Sequence, residues 1–348
     1  MKNGVKMLDI AGRLGVSVVT VSNALAGREG VSSELRRKIC ETAEEMGYKP
    51  SNTKSSSRRS LLPKLGKNVG ILTSERFSGT RGTFYWELTA NISNKLSALN
   101  VYTIYECISA ASEAAGNLPN MVTEEKVDGV IVIGQVTRTY TEAISRIKLP
   151  LIFVDFYDNR FSIDSVNSDS YHGGYMITDY LVSMGHRRIG FFGNVNATSS
   201  INDRFLGYIK CLMENGLEYH REWTLDDRDD FGRKLPKIDF PENMPTAFVC
   251  NCDETAFQVI SALKSKGVRV PEDISVVGYD NYTVSSICIP TITTVEVDIE
   301  KMAEVAVGMM AKKLEDPEYS GGRQIISGRL IEKNSVLDIR DEHSTAAG

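Results

Sequence analysis

The side chains with the most reactive chemistry in this sequence are spaced so that they share no site. Its four histidines, His172, His186, His220 and His343, stand far apart, and none has a nucleophile beside it. Six cysteines are scattered in the same way: Cys40, Cys107, Cys211, Cys250, Cys252 and Cys288. Only Cys250 and Cys252 are close, and C-x-C alone does not make a zinc site. The G-x-S-x-G elbow, the G-x-G-x-x-G turn and the G-x-x-x-x-G-K-[ST] phosphate loop are all missing. No catalytic residue, metal or cofactor is expected, and the chain does not read as an enzyme. What remains is the chemistry of binding. Asp155 and Asp280 each follow an apolar strand-like run, and near the N-terminus Val18, Val19 and Asn23 lie on a short helical segment.

That segment belongs to a small helical module. Met7, Leu8, Ile10, Ala11 and Leu14 recur at helical spacing, and Gly15 ends the helix because only glycine takes a left-handed turn without steric cost. Ser17 then caps a second helix, Val18–Leu25, and the pair joined by Gly-Val-Ser predicts a helix-turn-helix. Ser32 caps a third, Ser33–Met46, with Leu35, Ile39, Ala43 and Met46 inward. In such a motif the start of the second helix meets base edges. Val18 and Val19 can touch thymine methyls, and Asn23 can pair with adenine. Ser17, Thr20, Ser22 and Tyr48 suit phosphate oxygens, which position the module without specifying sequence.

Charge supports that assignment. The 348 residues total −5, with 40 Lys and Arg against 45 Asp and Glu. Residues 1–66 hold twelve of the bases and six of the acids, so they carry +6 and the remainder −11. A basic module facing an anionic polymer, attached to an acidic body, fits this asymmetry. Arg28, Arg36 and Arg37 add to the attraction or are simply solvated. No apolar run of about 18 residues exists, so no membrane span is expected. Without an export signal at the start, the chain is expected in the cytoplasm.

The string LDIAGRLGVSVVTVSNALAGREGVSSELRRKICETAEEMGYKP closely resembles the DNA-binding head of the lactose-repressor (LacI/GalR) family of bacterial transcriptional regulators. Asp9, Ile10, Ala11, Gly15, Val16, Ser17, Thr20, Val21, Ser22, Leu25, Val31, Ser32, Gly47, Tyr48 and Pro50 fall on the family pattern. The resemblance adds Ser32 to the DNA-facing set. It also implies a hinge in the serine-rich, basic stretch 51–67, where the family wedges a leucine into the minor groove. Here that position is Ser57, and Ser51 replaces the usual Asn after Pro50. Leu61 and Leu62 either serve as a shifted wedge or anchor the linker to the core.

From Asn68 onward, apolar runs alternate with amphipathic segments, which predicts parallel sheets with crossover helices. Strands are expected at Val69–Thr73, Val101–Glu106, Gly129–Ile133, Leu151–Phe156, Arg188–Gly193, Thr246–Cys250 and Ile274–Tyr279. Helices are expected at Tyr85–Leu99, Thr139–Ile147, Tyr171–Met184, Arg204–Glu214, Glu254–Lys266 and Ile299–Leu314. The runs 166–193, 244–256, 270–281 and 289–298 resemble the family's effector-binding core. The resemblance thus implies an all-α helix-turn-helix head (1–50), the hinge (51–67), a two-lobed α/β core of the periplasmic-binding-protein type (68–340) and a tail (341–348). Lobe 1 would hold about 68–160 and 294–325, and lobe 2 about 161–293 and 326–340.

The resemblance also implies a site between the lobes. Asp155 and Asp280 align with the carboxylates that accept ligand hydroxyls, and Arg204 with the clamping arginine. Thr198 and Ser200 lie just before it, Phe84 and Tyr85 open the first core helix, and Asp253 follows a position where Cys252 replaces the usual Asn. Carboxylates and an arginine between aromatic faces suit a sugar. The function implied is a repressor, acting as a homodimer on a pseudo-palindromic operator, with DNA affinity set by a small, sugar-like ligand. A transport binding protein would share the core but has no use for residues 1–50.

Overall fold

The computed structural model describes residues 5, 7–25, 31–46, 67–78, 84–229 and 232–340. The chain divides into two compact units, residues 1–62 and 63–348. Of the expected hinge only Lys67 is among the described residues, and the expected tail lies outside them.

The first unit holds α1 (Met7–Leu14), α2 (Val18–Leu25) and α3 (Ser33–Glu45). Gly15 has φ +66°, the left-handed turn that lets α1 give way to α2. Ile10, Ala11, Val21, Ala24, Ile39 and Ala43 form its core. With the partly buried Met7 and Leu14 of α1, each helix supplies residues three or four apart, so one stripe per helix meets the others.

The second unit begins with β1 (Asn68–Ser74), α4 (Phe84–Ala98), β2 (Tyr102–Ile108), α5 (Ala110–Ala115), α6 (Asn120–Thr123), β3 (Gly129–Ile133), α7 (Arg138–Ile144), β4 (Leu151–Val154) and β5 (Asp164–Ser168). After it come α8 (Ser170–Ser183), β6 (Ile189–Phe192), α9 (Ser199–Glu214), β7 (Thr224–Leu225), β8 (Ala247–Cys250), α10 (Asp253–Ser265), β9 (Ser275–Val277) and α11 (Thr283–Ile287). The order closes with β10 (Thr294–Glu296), α12 (Ile299–Glu315), β11 (Arg323–Ile326) and β12 (Arg329–Ile331).

Two parallel sheets organise two lobes. One sheet has the order β11-β5-β4-β3-β1-β2 and the other β7-β6-β8-β9. β3 and β4 are buried along their whole length, as are β6 and β8, which is why they read as unbroken apolar runs. β10 and β12 pair antiparallel with each other where the chain passes between the lobes.

The structure corrects one lobe boundary. Strand β5 pairs with β4, so the first crossing follows Ser168 rather than 160. The segment DSVNS is too polar to read as a buried strand, yet all five of its residues are buried. Asp164 survives there because Lys313 lies 2.9 Å away and the amides of Gly321 and Gly322 donate to it at 3.0 and 2.8 Å.

A second correction concerns α9, which begins at Ser199, five residues before the expected start. Thr198 caps it, its hydroxyl accepting the Ile201 N–H at 3.1 Å. Arg204 therefore sits in the second turn. Its place is fixed by a glycine crossing between α8 and α9. A Cβ on Gly174 would lie 2.2 Å from the Arg204 carbonyl oxygen, and one on Gly207 2.0 Å from that of Tyr171. Only glycine permits backbones this close.

Candidate functional site

Two surfaces gather the residues singled out from the sequence. The first is α2. Ser17 Oγ accepts the Thr20 N–H at 3.0 Å and lies 2.8 Å from Thr20 Oγ1, giving the helix start a partner for one of its free amides. Val21 and Ala24 face the head core, so Val18 and Val19 are turned outward, at 39% and 67% exposure. Packing does not hold Val19 in place, and its methyls are open to an apolar group on a ligand. Thr20, Ser22 and Asn23 are half-buried on the flanks. Ser32 is exposed and caps α3, accepting the Leu35 N–H at 3.4 Å. Tyr48, Leu61 and Leu62 lie outside the described residues, as does Arg28. Arg37 pairs with Glu41 at 3.4 Å on the head surface.

The second surface lies between the lobes, at the carboxyl ends of the strands. Asp155 directly follows β4, with φ +63°, and Asp280 follows β9, with φ +104°. Aspartate tolerates this left-handed region better than most side chains, and here it turns both carboxylates off the strand line. The Tyr85 hydroxyl donates to Asp155 Oδ2 at 2.9 Å. Arg204 approaches Asp280 Oδ1 at 3.6 Å, donates to the Asn251 carbonyl at 2.5 Å, and lies 3.8 Å over the Tyr279 ring centroid.

Burial governs the protonation of this group. It raises Asp155 to about 6, although Arg204 and the Tyr85 hydroxyl pull the other way. Asp280 is pushed up to about 8, again by burial first, with Arg204 opposing. The Tyr85 phenol is held well above its ordinary value by burial and by Asp155. Burial works against the charge on Arg204, but Asp280, Tyr279 and Asp155 keep it protonated. Such shifts, with named charge partners at the ends of strands, make this group a candidate binding site.

The other expected residues differ in their parts. Phe84 packs edge-on against Tyr85, ring centroids 5.2 Å apart, and supports it. Thr198 caps α9, with its Oγ1 3.1 Å from Ser200 Oγ. Asp253 opens α10 and is buried. It accepts the Tyr282 N–H at 2.7 Å and its own N–H donates to the Tyr279 carbonyl at 2.8 Å. It therefore holds the loop that carries Tyr279 and Asp280. Trp223 is buried, its indole N–H donating to the Asn243 carbonyl at 2.7 Å, and Trp86 is half exposed. Among the described residues, no three His, Cys, Asp or Glu side chains converge to hold a metal ion, and no single helix is long and apolar enough to cross a membrane.

Comparison with known proteins covers both regions of the chain. Residues 6–51 match the model of the bacterial regulatory proteins of the lacI family, and residues 178–336 match a periplasmic binding protein-like domain.

The chain carries a lacI-family DNA-binding head and a periplasmic binding protein-like core.

Its curated relatives match nearly its whole length. It is 27% identical over 336 residues to the HTH-type transcriptional repressor PurR of Pasteurella multocida, covering 94% of this chain and 97% of that one. It is 25% identical over 339 residues to the ribose operon repressor of Haemophilus influenzae, covering 96% and 99%. In fold it is similar to the transcriptional regulator CelR in complex with cellobiose, with TM-score 0.67, 20% identity and coverage of 95% and 99%. It is also similar to the lac repressor dimer bound to operator and the anti-inducer ONPF, with TM-score 0.64, 22% identity and coverage of 96% and 100%. With that head and core the chain is a DNA-binding transcriptional regulator with a ligand-binding core, and its relatives are repressors rather than enzymes.

Sequence reasoning left unassigned several residues that this regulator places around Arg204. Arg228 donates to Asp227 Oδ2 from Nε and Nη2, at 2.8 and 2.6 Å, and its Nη2 lies 3.9 Å from Cys252 Sγ. Asp227 also accepts from Thr255 Oγ1 at 2.8 Å, Asn251 Nδ2 at 3.2 Å and the Asn194 N–H at 3.1 Å. Burial alone would raise its carboxyl, but Arg228, Thr255 and the Asn194 amide hold it below the usual range. The fields of Tyr85 and Asp280 both reach Arg228, so a second guanidinium serves the cleft. The charge run Asp226-Asp227-Arg228-Asp229 was the available signal, but nothing local separates it from a solvated loop.

Proposed function

We propose that this regulator represses transcription as a cytoplasmic homodimer on a pseudo-palindromic operator, and that a neutral carbohydrate or related polyol bound between the lobes sets its DNA affinity. The observation that carries the effector assignment is the Tyr85–Asp155 and Arg204–Asp280 pairing. Each cation or phenol is matched by a carboxylate, so the site has no surplus positive charge for an anion. A polyol supplies hydroxyls that both accept and donate, which suits such a mixed set. The Tyr279 and Tyr85 rings offer apolar faces to its C–H surfaces. The names of the ribose operon repressor and of the CelR–cellobiose complex support the same class. Binding shifts the balance between lobe arrangements and so the spacing of the two heads of a dimer. Half-sites lie about one helical turn or a multiple apart, so that spacing decides operator affinity.

A thermal-shift screen of neutral sugars, sugar acids and nucleobases tests this reading. The expected result is a rise in melting temperature with a neutral sugar that disappears in Arg204→Ala, because a ligand that binds only the folded form must stabilise it. A shift that persists in Arg204→Ala, or one seen only with nucleobases or acids, overturns the polyol assignment.

A further inference from the structure

Beside the proposed effector residues, a group of polar contacts joins the lobes without taking part in ligand recognition. Tyr157 lies two residues beyond Asp155, and its hydroxyl donates to Asp203 Oδ1 at 2.9 Å. Arg323, on β11 of the same lobe, reaches the other oxygen, Nη2 to Oδ2 at 3.3 Å. Its guanidinium carbon also lies 3.3 Å from the centroid of the Tyr157 ring. Asp203 belongs to the opposite lobe, on α9. One turn earlier, the Ser199 N–H donates to Gln135 Oε1 at 3.1 Å, and Ser199 Oγ accepts the Tyr157 N–H at 3.4 Å.

Three features separate this group from ordinary surface pairing. Both Asp203 oxygens are bound by the opposite lobe, and its side chain is only 14% exposed. Its lobe-1 partners come from separate segments, Tyr157 from the loop after β4 and Arg323 from β11, so they grip α9 from two places. Finally, the next residue along α9 is Arg204.

We propose that Asp203, Tyr157 and Arg323 form a latch that holds the lobes together before an effector arrives and so positions Arg204 against Asp155 and Asp280. The consequence for effector binding rests on the cleft being the effector site, but the latch itself is read without any effector. Separation of the lobes must break the Asp203 contacts and expose the Ser199 and Tyr157 amides together. Loss of a charge-assisted bond of this kind increases the open fraction about tenfold or more.

Hydrogen exchange on the ligand-free, full-length chain is the test, with Tyr157→Phe, Asp203→Asn and a control, Asp273→Asn, in the surface pair Arg269–Asp273 on one lobe. Tyr157→Phe and Asp203→Asn are expected to speed exchange at the Ser199 and Tyr157 amides about tenfold, with β3 and β8 unchanged and the control silent. Unchanged exchange at Ser199 and Tyr157 overturns the latch. So does faster exchange throughout β3 and β8, which marks general loosening. Tyr157→Phe removes one hydroxyl and keeps the ring, so it decides the matter if Asp203→Asn does not fold. A latch found without any sugar response would leave this inference standing and remove the polyol reading.

Discussion

On α2, the groups proposed to meet DNA are uncharged, with Val19 67% exposed and Ser17 bonded to its own helix start. In the cleft, Arg204 is 6% exposed and Asp155 3%, and each is already bound to another side chain of the protein. The contrast follows from the partners. DNA is a large, rigid surface that brings its own charge and hydration, so the head need only present a shape and a few contacts. A small ligand must be enclosed, and enclosure makes each polar group costly unless another part of the protein pairs with it. One region can therefore lose a functional side chain with little effect on folding, and the other cannot.

The strongest way to break this contrast is Arg204→Ala. It strands the buried Asn251 carbonyl, which costs about 1–3 kcal/mol, and opens a void beside Asp280 and Asp155 whose cost adds to that. Chemical denaturation is expected to show that loss even with no effector in solution. A variant as stable as the parent would place Arg204 with the solvent-facing groups. Asn23→Ala is the counterpart on the head, expected to weaken operator binding by about 1–3 kcal/mol. Its unfolding midpoint should stay where it was, since Asn23 lies outside the head core. A fall in head stability would mean that Asn23 supports the fold rather than reading DNA.

A smaller effect sharpens the contrast through pH. Asp155 rises to about 6 and Asp280 to about 8, so the folded core keeps protons that the unfolded chain gives up near pH 4. Their contribution to stability is therefore full below about pH 4 and is lost as pH climbs through the folded values. Melting temperature is expected to decline between about pH 5 and 8, with a slope of at most about 1.4 kcal/mol per pH unit from each group. Asp280→Asn should flatten the upper part of that decline. An unaltered profile would show that Asp280 does not titrate in this range.

These differences also explain what could be read from the residues alone. α1 and α2 emerge within their expected bounds, because their stripes, the Gly15 stop and the Ser17 cap all act within a few residues of one another. Strands such as β3 were equally plain, since burial on both faces leaves an apolar run. Strand β5 was hidden because Asp164, Ser165, Asn167 and Ser168 are tolerated there only through partners far along the chain, Lys313 among them. The Arg204–Asp280 and Tyr85–Asp155 pairs join residues 76 and 70 positions apart, and only the family pattern placed them in one site. The Asp227–Arg228 pair had no such pattern behind it. Asp253 was assigned to the ligand by position, but its backbone and carboxylate both bind the 279–282 loop.

The short ribbon of β10 and β12 carries a consequence for signalling. It joins the second and third crossings through antiparallel pairs, Thr294 with Ile331, Val295 with Leu330 and Glu296 with Arg329. Strands bonded in register cannot slide past one another without breaking several bonds at once, whereas they can twist together. Translation between the lobes is thereby suppressed and rotation about the ribbon remains. Whatever occupies the cleft then acts on the two lobes through one coordinate, an angle, and the proposed latch at Asp203 opposes its change.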